Sequence, residues 1–392
     1  MKRVRRSEWI AAVVACTFAA AVPAADAAVK RCPTGQFDRG GQCTRFATAA
    51  RKVESIARAG MAAGDAKGAI LRVDIGGRTL VNRGLGVSME GVPASSKMSF
   101  RVGAMSIPFL TTIALQLQDQ GRLDLDDKLS RWYPGYPNAD RVTLRMLASG
   151  TSGYPDQIQE NPVFQALQLA DVFRDWNDDE LLRYAFALPP VCDPGTCFHY
   201  AHSSFIVLAR VLEKVTRQSM TTLMTTRFLR PLGMSDTRIS KLPGMPQPVL
   251  HAYSTERGVY EDSTYWSPSW SIGRGVAMSS TARDMIKGIR AVGTGKLVSS
   301  SGLRQLFTPY SKGLPGAPPF DYSLGGLNHN GWFFANPELN GYIGLLAYLP
   351  SRDISILVEN TNGPKTPDGA STSGSIWAKV AAYLTPDHQV SS

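Results

Sequence analysis

The sequence predicts an α+β fold in which one antiparallel sheet is built from both ends of the chain and a mostly helical region is inserted between them. Segments with the alternating apolar pattern of strands occur near both termini, whereas the middle of the chain has helical spacing and long loops. Apolar residues make up 43% of the 392 positions, which is ample for the core of such a domain. A two-layer arrangement of helices on a sheet follows from this order of elements.

The first elements are a helix and a pair of strands. Residues 46–64 have helical spacing, and residues 69–88 read as two strands around the turn at Gly76-Gly77. A long apolar helix follows over residues 108–120, with Pro108 in its first turn, where the missing N–H of proline costs nothing.

The inserted region spans about residues 100–300, and its clearest helices are "DDELLRYAFAL" and "SFIVLARVLEKVTRQ". Near the C-terminus, "YIGLLAYLP" and "DISILVENT" alternate as the strands of a hairpin split by Ser351-Arg352, and "GSIWAKVAAYL" reads as a closing helix. We therefore expect the C-terminal strands to join the N-terminal pair in one sheet.

Residues 1–27 resemble an export signal. A basic start, a short apolar segment and the small-x-small site at Ala25-Asp26-Ala27 have the order of a cleaved leader. We expect a periplasmic or secreted protein, with a lipoprotein anchored at Cys16 as the alternative. No other segment is apolar enough to predict a transmembrane helix.

Four cysteines remain after the leader, in two local pairs: Cys32 with Cys43, and Cys192 with Cys197. An even number of cysteines in an exported chain predicts disulfides. Zinc is the rival for the second pair, although His199 and His202 follow it at an unusual spacing. The domains expected are a Cys-bounded extension over residues 28–46 and one large domain over residues 47–388.

The charge pattern excludes several function classes. The formal net charge is +10, but the basic residues are dispersed, without a run or an interleaved aromatic stripe, so no nucleic-acid partner is predicted. The chain has no zinc motif, phosphate-binding loop or nucleotide fingerprint. We predict no metal and no cofactor.

Six segments in order resemble one family, the serine β-lactamases and penicillin-binding-protein-like hydrolases, in the branch of class C β-lactamases, D-Ala-D-Ala carboxypeptidases and esterases. The resemblance extends over about residues 50–385. The segments are residues 100–134, "VTLRMLASGTSGYP", "PGTCFHYAHSSFIVLARVLEKVTRQSM", "FLRPLGMSDT", "GRGVAMSSTARDM" and "NHNGW" with "GYIGLLAYLP".

The resemblance implies a nucleophile site whose chemistry is missing. The family uses Ser-x-x-Lys, in which the serine attacks a carbonyl and the lysine, one helical turn on, takes its proton. Ala104 stands at the serine position and Ile107 at the lysine position, and no Ser-x-x-Lys occurs elsewhere. Ser106 is the nearest alternative nucleophile, but it has no base at the required spacing.

Two further motifs are implied by the resemblance. Tyr200-Ala201-His202 stands where the family has Tyr-x-Asn, and His329-Asn330-Gly331 stands for its His/Lys-x-Gly strand motif. In the family the oxyanion hole uses backbone N–H groups that correspond to Ala104 and Trp332. We therefore expect a ligand pocket lined by Ala104, Tyr200, His202 and residues 329–332; the alternative for His202 is a helix cap.

Three functions stay open from the sequence. The first is an exported, β-lactamase-related protein that is inactive as a serine hydrolase and binds a small molecule, peptide, ester or cell-wall fragment. The second is a hydrolase or transferase that acts on an amide or ester without a covalent intermediate, using Tyr200, His202 and His329. The third is a structural envelope protein whose pocket is filled by Met105, Ile107 and Trp332. The sequence does not define an oligomeric state.

Overall fold

The structure is a computed structural model that describes residues 30–240, 242–273, 275–367 and 369–390. The expected leader at residues 1–27, including Cys16, lies outside the described residues. Within the described ranges, no helix has both the length and the apolar character needed to cross a bilayer.

A disulfide-closed hairpin precedes the main domain. Its strands, β1 (Gln36–Arg39) and β2 (Gln42–Arg45), pair antiparallel, and the Cys32–Cys43 bond closes the segment. Asp38 forms an ion pair at 2.9 Å with Arg352, and both side chains are almost fully buried. The hairpin is thereby attached to the C-terminal part of the chain.

The remaining strands come in two groups, one before and one after the helical region, with short pairs inside that region. In chain order they are β3 (Ala66–Ile75), β4 (Arg78–Met89), β5 (Val92–Pro93), β6 (Phe100–Arg101), β7 (Arg238–Ile239), β8 (Tyr253–Ser254), β9 (Glu261–Asp262), β10 (Met278–Ser280), β11 (Asp321–Tyr322), β12 (Leu327–His329), β13 (Trp332–Ala335), β14 (Glu338–Leu339), β15 (Tyr342–Leu349) and β16 (Ile354–Asn362).

The α-helices lie between the two strand groups and at the two ends of the chain. In chain order they are α1 (Phe46–Ala63), α2 (Ile107–Asp119), α3 (Leu144–Ser149), α4 (Pro162–Ala170), α5 (Asp178–Phe186), α6 (His202–Thr216), α7 (Met220–Met224), α8 (Ala282–Gly293), α9 (Ser300–Phe307) and α10 (Thr372–Leu384).

A nine-stranded sheet joins the two ends of the chain. Its order is β11-β12-β13-β15-β16-β3-β4-β5, with β14 paired to β15. The connection between the ends is the antiparallel pairing of β16 with β3, from Ile354 opposite Ile75 to Asn362 opposite Ala66. This confirms the predicted α+β architecture with a helical region inserted in the sheet.

Helices cover both faces of this sheet. Helices α1 and α10 pack on one face, where their apolar residues share a core with alternate residues of β3, β15 and β16. Helix α8 packs on the other face, against β15 and β16, and continues into the core of the inserted region. Helix α2 lies within that second core, and every residue from Ile107 to Leu115 is buried.

The contact between α8 and β15 is very close. Gly293 of α8 faces the ring of Tyr348, and a Cβ at Gly293 would lie 1.9 Å from a ring carbon. The ring cannot easily move, because Tyr348 is 2% exposed and its hydroxyl donates to Asp353 Oδ1 at 3.0 Å. Glycine is therefore required here by space.

We predict that Gly293→Ala lowers the free energy of unfolding by about 2 kcal/mol, because the methyl group must displace a buried ring. The matched control is Gly135→Ala, since no atom of the described residues lies within 4 Å of a Cβ added at Gly135. Urea unfolding at neutral pH measures both changes. Equal stability of the two variants would contradict the close packing of α8 on β15.

Candidate functional site

The first element of the site is the turn that leads into α2. Residues Gly103–Ser106 form a single 3₁₀ turn, and Gly103 has a left-handed backbone with φ of +53°. A Cβ at Gly103 would lie 2.8 Å from Cβ of Pro337. Glycine is therefore required both by conformation and by space, and Ala104 is held beside the segment that follows β13.

Beside this turn lies a cavity of about 420 Å³. It lies between the end of β13 and the inserted region, and its walls are largely apolar and aromatic. Ala104, Ile107, Tyr200 and His202 all line it, so the structure brings these four residues of the sequence prediction together. Further aromatic walls come from Phe198, Trp270 and Tyr322.

Ile107 occupies the place that the resemblance assigns to a lysine. Its side chain is 1% exposed and its Cγ2 lies 3.0 Å from an ideal Cβ built on Gly325. No lysine or arginine is among the described residues that line the cavity. The described walls therefore supply no cation that would lower the pKa of a neighbouring hydroxyl.

Tyr200 lies just before α6, with its ring against the cavity. Burial raises the pKa of its hydroxyl well above the usual value, and the neighbouring Tyr322 and Asp156 raise it further. Its ring meets that of His202 edge-on, with the centroids 5.1 Å apart. Tyr200 is thus a neutral phenol at physiological pH.

His202, the first residue of α6, forms a pair with a buried carboxylate. Its Nδ1 lies 2.6 Å from Oδ2 of Asp156, and its backbone N–H donates to the same oxygen at 2.7 Å. The side chain of Asp156 is 0% exposed, whereas that of His202 is 15% exposed and lines the cavity. With Nδ1 donating to the carboxylate, Nε2 remains as the acceptor nitrogen.

Four hydrogen bonds keep Asp156 ionised. Besides the two from His202, its Oδ1 accepts the backbone N–H groups of Ile158 at 2.7 Å and Gln159 at 3.0 Å. Burial alone would raise the pKa of this carboxyl, but His202 and the backbone donors lower it to about 2. The site therefore contains a histidine oriented by a buried negative charge.

Asp156 was not predicted from the sequence. It directly follows "TSGYP", which contains the Thr-Ser-Gly loop of the family. A single aspartate there does not indicate a functional role until His202 is known to lie beside it. The loop is fixed by backbone hydrogen bonds, since Val191 N–H donates to Gly153 O at 2.9 Å and His199 N–H donates to Gly150 O at 2.7 Å.

The structure corrects the expectation for residues 329–332. His329 and Trp332 flank the turn between β12 and β13, and none of residues 329–332 lines the cavity. His329 stacks edge-on against Phe320. Trp332 is 0% exposed and points to the opposite face of the sheet, where its Nε1 donates to His388 O at 3.0 Å.

The other end of β13 is the one that approaches the cavity. Ala335, Asn336 and Pro337 line it, and Pro337 O accepts the N–H of Gly344 at 2.9 Å. The sequence prediction chose the wrong end of β13, because a motif of only three residues gives no second signal by which an error in its placement could be detected. The strand register, which depends on the pairing of Phe334 with Ala347, places the correct segment at the site.

Ser106, the alternative nucleophile considered from the sequence, is buried, and so is Ser152 of the loop before Asp156. Ser106 is 0% exposed and donates to Gly103 O at 2.9 Å, and Ser152 lies 2.9 Å from Ser204 Oγ. Neither lines the cavity. The structure thus gives no support to Ser106 as an alternative nucleophile.

The second cysteine pair forms a disulfide between Cys192 and Cys197. This bond closes the loop that immediately precedes Phe198 and Tyr200, two residues of the cavity wall. It therefore restricts the segment from which this side of the site is built, and it takes the place of the zinc ligands considered above.

The comparisons with known proteins agree with this geometry. The family model described as Beta-lactamase matches residues 53–381. A penicillin-binding protein of Bacillus subtilis is 26% identical over 204 residues, which are 49% of this chain and 42% of that protein. The match thus spans less than half the length of this curated relative.

Two solved structures have the same fold. The D-stereospecific amidohydrolase from Streptomyces sp. superposes with a TM-score of 0.72 at 25% identity, over 87% of this chain and 99% of that one. The D-amino acid amidase from Ochrobactrum anthropi, complexed with D-phenylalanine, gives a TM-score of 0.72 at 19% identity, over 86% and 99% of the two chains. The second likeness concerns the fold alone.

Fold and cavity together define a protein of the serine β-lactamase and penicillin-binding-protein-like class. The match over residues 53–381 shows that the chain belongs to the Beta-lactamase family.

We predict that Asp156 contributes about 2 kcal/mol to stability at neutral pH, since its pKa of about 2 lies below the ordinary value of 3.8. A lowered folded-state pKa gives stability that is complete above the unfolded value. This stability is lost as the pH falls from about 4 towards 2. Asp156→Asn should remove this dependence and destabilise the protein at pH 7.

The free energy of unfolding in urea, measured at several pH values across that interval, tests the prediction. The control is Asp140→Asn, because Asp140 is an exposed carboxylate. An Asp156→Asn variant that keeps the acid-dependent loss of the parent would contradict the assignment.

Proposed function

We propose that this protein is an exported member of the family that binds an amide, ester, peptide or cell-wall fragment in the Ala104 cavity without acylation. The supporting observation is that the cavity is retained while the two reacting groups are absent. Ala104 has a methyl group where the family has its attacking oxygen, and Ile107 gives an apolar wall where the family has its base. Neither side chain can form or transfer a bond to an acyl group.

The remaining groups suit binding. Ala104 lies in the first turn of a helical segment, where backbone N–H groups have no partner within the helix, so a carbonyl or carboxylate can accept from this donor. Aromatic walls offer an apolar surface to a side chain or ring. The likeness to the D-stereospecific amidohydrolase from Streptomyces sp. favours an amino-acid amide or short peptide as ligand.

An open cavity also disfavours a purely structural role. That role requires Met105, Ile107 and Trp332 to fill the pocket. Instead, Met105 is 0% exposed within the core, Trp332 lies on the other face of the sheet, and about 420 Å³ remains open. The space is of the size that small-molecule sites usually have.

Export is part of the same proposal. It is supported by the leader-like residues 1–27 and by the two disulfides, since such bonds persist in oxidising compartments. A lipoprotein attached through Cys16 remains the alternative, and N-terminal sequencing of the processed protein distinguishes the two.

We predict that the parent protein is not labelled by a fluorescent penicillin or a fluorophosphonate. Ala104→Ser combined with Ile107→Lys restores the nucleophile and its base, and labelling should rise at least ~10-fold. Ala104→Ser alone is the control, because it restores the oxygen without the base. Gel fluorescence and peptide mapping measure the result. Labelling of the parent protein at any serine would refute the loss of serine-hydrolase chemistry.

A second candidate function is favoured by the His202–Asp156 pair. A histidine whose Nδ1 is held by a buried carboxylate at 2.6 Å presents Nε2 as a general base. It can take a proton from a water that attacks a bound amide or ester carbonyl, and the neutral Tyr200 can donate a hydrogen bond to the leaving group. This route needs no covalent intermediate, and His329, which does not line the cavity, has no part in it.

If this second function holds, His202→Ala and Asp156→Asn should each lower turnover of a p-nitrophenyl ester or an amino-acid amide by at least ~100-fold. Asp156→Asn should also shift the pH–rate profile, because the amide no longer stabilises an imidazolium. His329→Ala is the matched control and should keep full activity. Absence of turnover in the parent protein would exclude this function and leave the binding function in place.

A further inference from the structure

A second concave region lies on the outer side of α8, away from the Ala104 cavity. Two adjoining cavities, of about 550 and 310 Å³, both contain Arg72 and Arg283 in their walls. Among the described residues, they share no lining residue with the Ala104 cavity. We call the two cavities together the basic groove.

The basic groove collects cations from separate elements of the fold. Arg72 comes from β3, Arg238 from β7 and Arg283 from α8, and lysines are added at both ends. The described lysine and arginine residues of its walls are Arg72, Lys97, Arg238, Arg283, Lys287, Arg290 and Lys296.

Only some of these cations are neutralised by the protein. Arg72 pairs with Asp74, Lys287 with Asp284, and Arg290 with Asp353. By contrast, Lys97, Arg238, Arg283 and Lys296 form no ion pair with any described residue. The two hydrogen bonds of the Arg238 guanidinium go to the backbone carbonyls of Ser235 and Thr237, and the carboxylate of Asp236, in the same wall, forms no ion pair with it.

A hydrogen-bond donor is also unused in the wall. The hydroxyl oxygen of Thr281, at the start of α8, is buried and has no partner among the described residues. It lies in the same wall as Arg238 and Arg283. These groups are all hydrogen-bond donors, and the oxygens of a phosphate group are acceptors. A guanidinium group binds phosphate through two parallel hydrogen bonds.

The shape and composition of the groove narrow the ligand class. Two cavities that meet at Arg72 and Arg283 form an elongated site, which suits a chain of anions better than one free ion. None of the described lining residues is aromatic, so the groove has no platform for stacking nucleobases. The groove therefore suits a polymer whose backbone is anionic and which carries no bases.

We propose that the basic groove binds a linear polymer that carries phosphate groups and no bases. This site is separate from the Ala104 cavity and does not depend on the function proposed for that cavity. It would hold the exported protein against phosphate-bearing material of the cell envelope while the cavity stays accessible.

The test uses inorganic polyphosphate as probe with the full processed protein. Binding is followed by isothermal calorimetry at low salt and again at about 0.15 M salt, where exposed charges are screened over about 8 Å. Orthophosphate and a single-stranded oligothymidylate are tested alongside. The groove variant carries Arg238→Glu and Arg283→Glu, and a milder variant carries Arg283→Gln alone.

The matched control carries Arg51→Glu and Lys52→Glu, which change the net charge equally on exposed positions of α1, on the other face of the sheet. We expect polyphosphate to bind the parent and the control, with affinity that falls as salt rises. The groove variant should bind at least ~10-fold more weakly, and Arg283→Gln should show an intermediate loss. Thermal unfolding confirms that each variant is folded.

Three results would overturn the proposal. Equal loss in the groove variant and the control would mean that overall charge, not the groove, drives binding. Binding of oligothymidylate as tight as that of polyphosphate would contradict a polymer without bases. Binding of orthophosphate alone, or no binding at low salt, would exclude a polymer site.

Discussion

The pairing of β16 with β3 is the constraint on which the rest of the molecule depends. It brings strands from opposite ends of the chain into one ladder, from Ile354 opposite Ile75 to Asn362 opposite Ala66. Strands β15 and β13 lie beside this ladder in the sheet, and the segment after β13 reaches the turn at Gly103. The chain between β3 and β16 therefore forms one long loop closed by this ladder. Contacts between residues so far apart in sequence form slowly during folding.

Much of the fold could be predicted because its signals are long and repeated. The helix expected over 108–120 was found as Ile107–Asp119, and the hairpin expected from the alternation before and after Ser351-Arg352 was found as β15 and β16. Each of these patterns extends over several turns or pleats, so an error at one position does not change the result.

Parts of the site could not be predicted in the same way. The three residues from His329 to Gly331 matched a motif, but the side of the cavity on which β13 ends depends on its register against β15, which no local pattern encodes. Asp156 escaped notice for the opposite reason. Its importance comes from a partner in another segment, His202, and a single carboxylate in a loop is common in any chain.

The electrostatics of the cavity differ from those that the family chemistry requires. A lysine beside a serine and a tyrosine would lower the energy of negative charge on either oxygen. With Ile107 in that place, burial dominates, and the pKa of Tyr200 is raised instead. One polar group of the described cavity wall is instead the imidazole of His202, which Asp156 orients from behind the wall at the start of α6.

The single oxygen that holds His202 has a mechanical consequence. Asp156 Oδ2 accepts both the backbone N–H that begins α6 and the ring N–H of the same residue. If the imidazole swung aside, the fully buried Asp156 carboxylate would lose one of its four hydrogen bonds while the backbone N–H of His202 stayed in place. The buried carboxylate thus fixes the orientation of one side chain in the wall of the cavity.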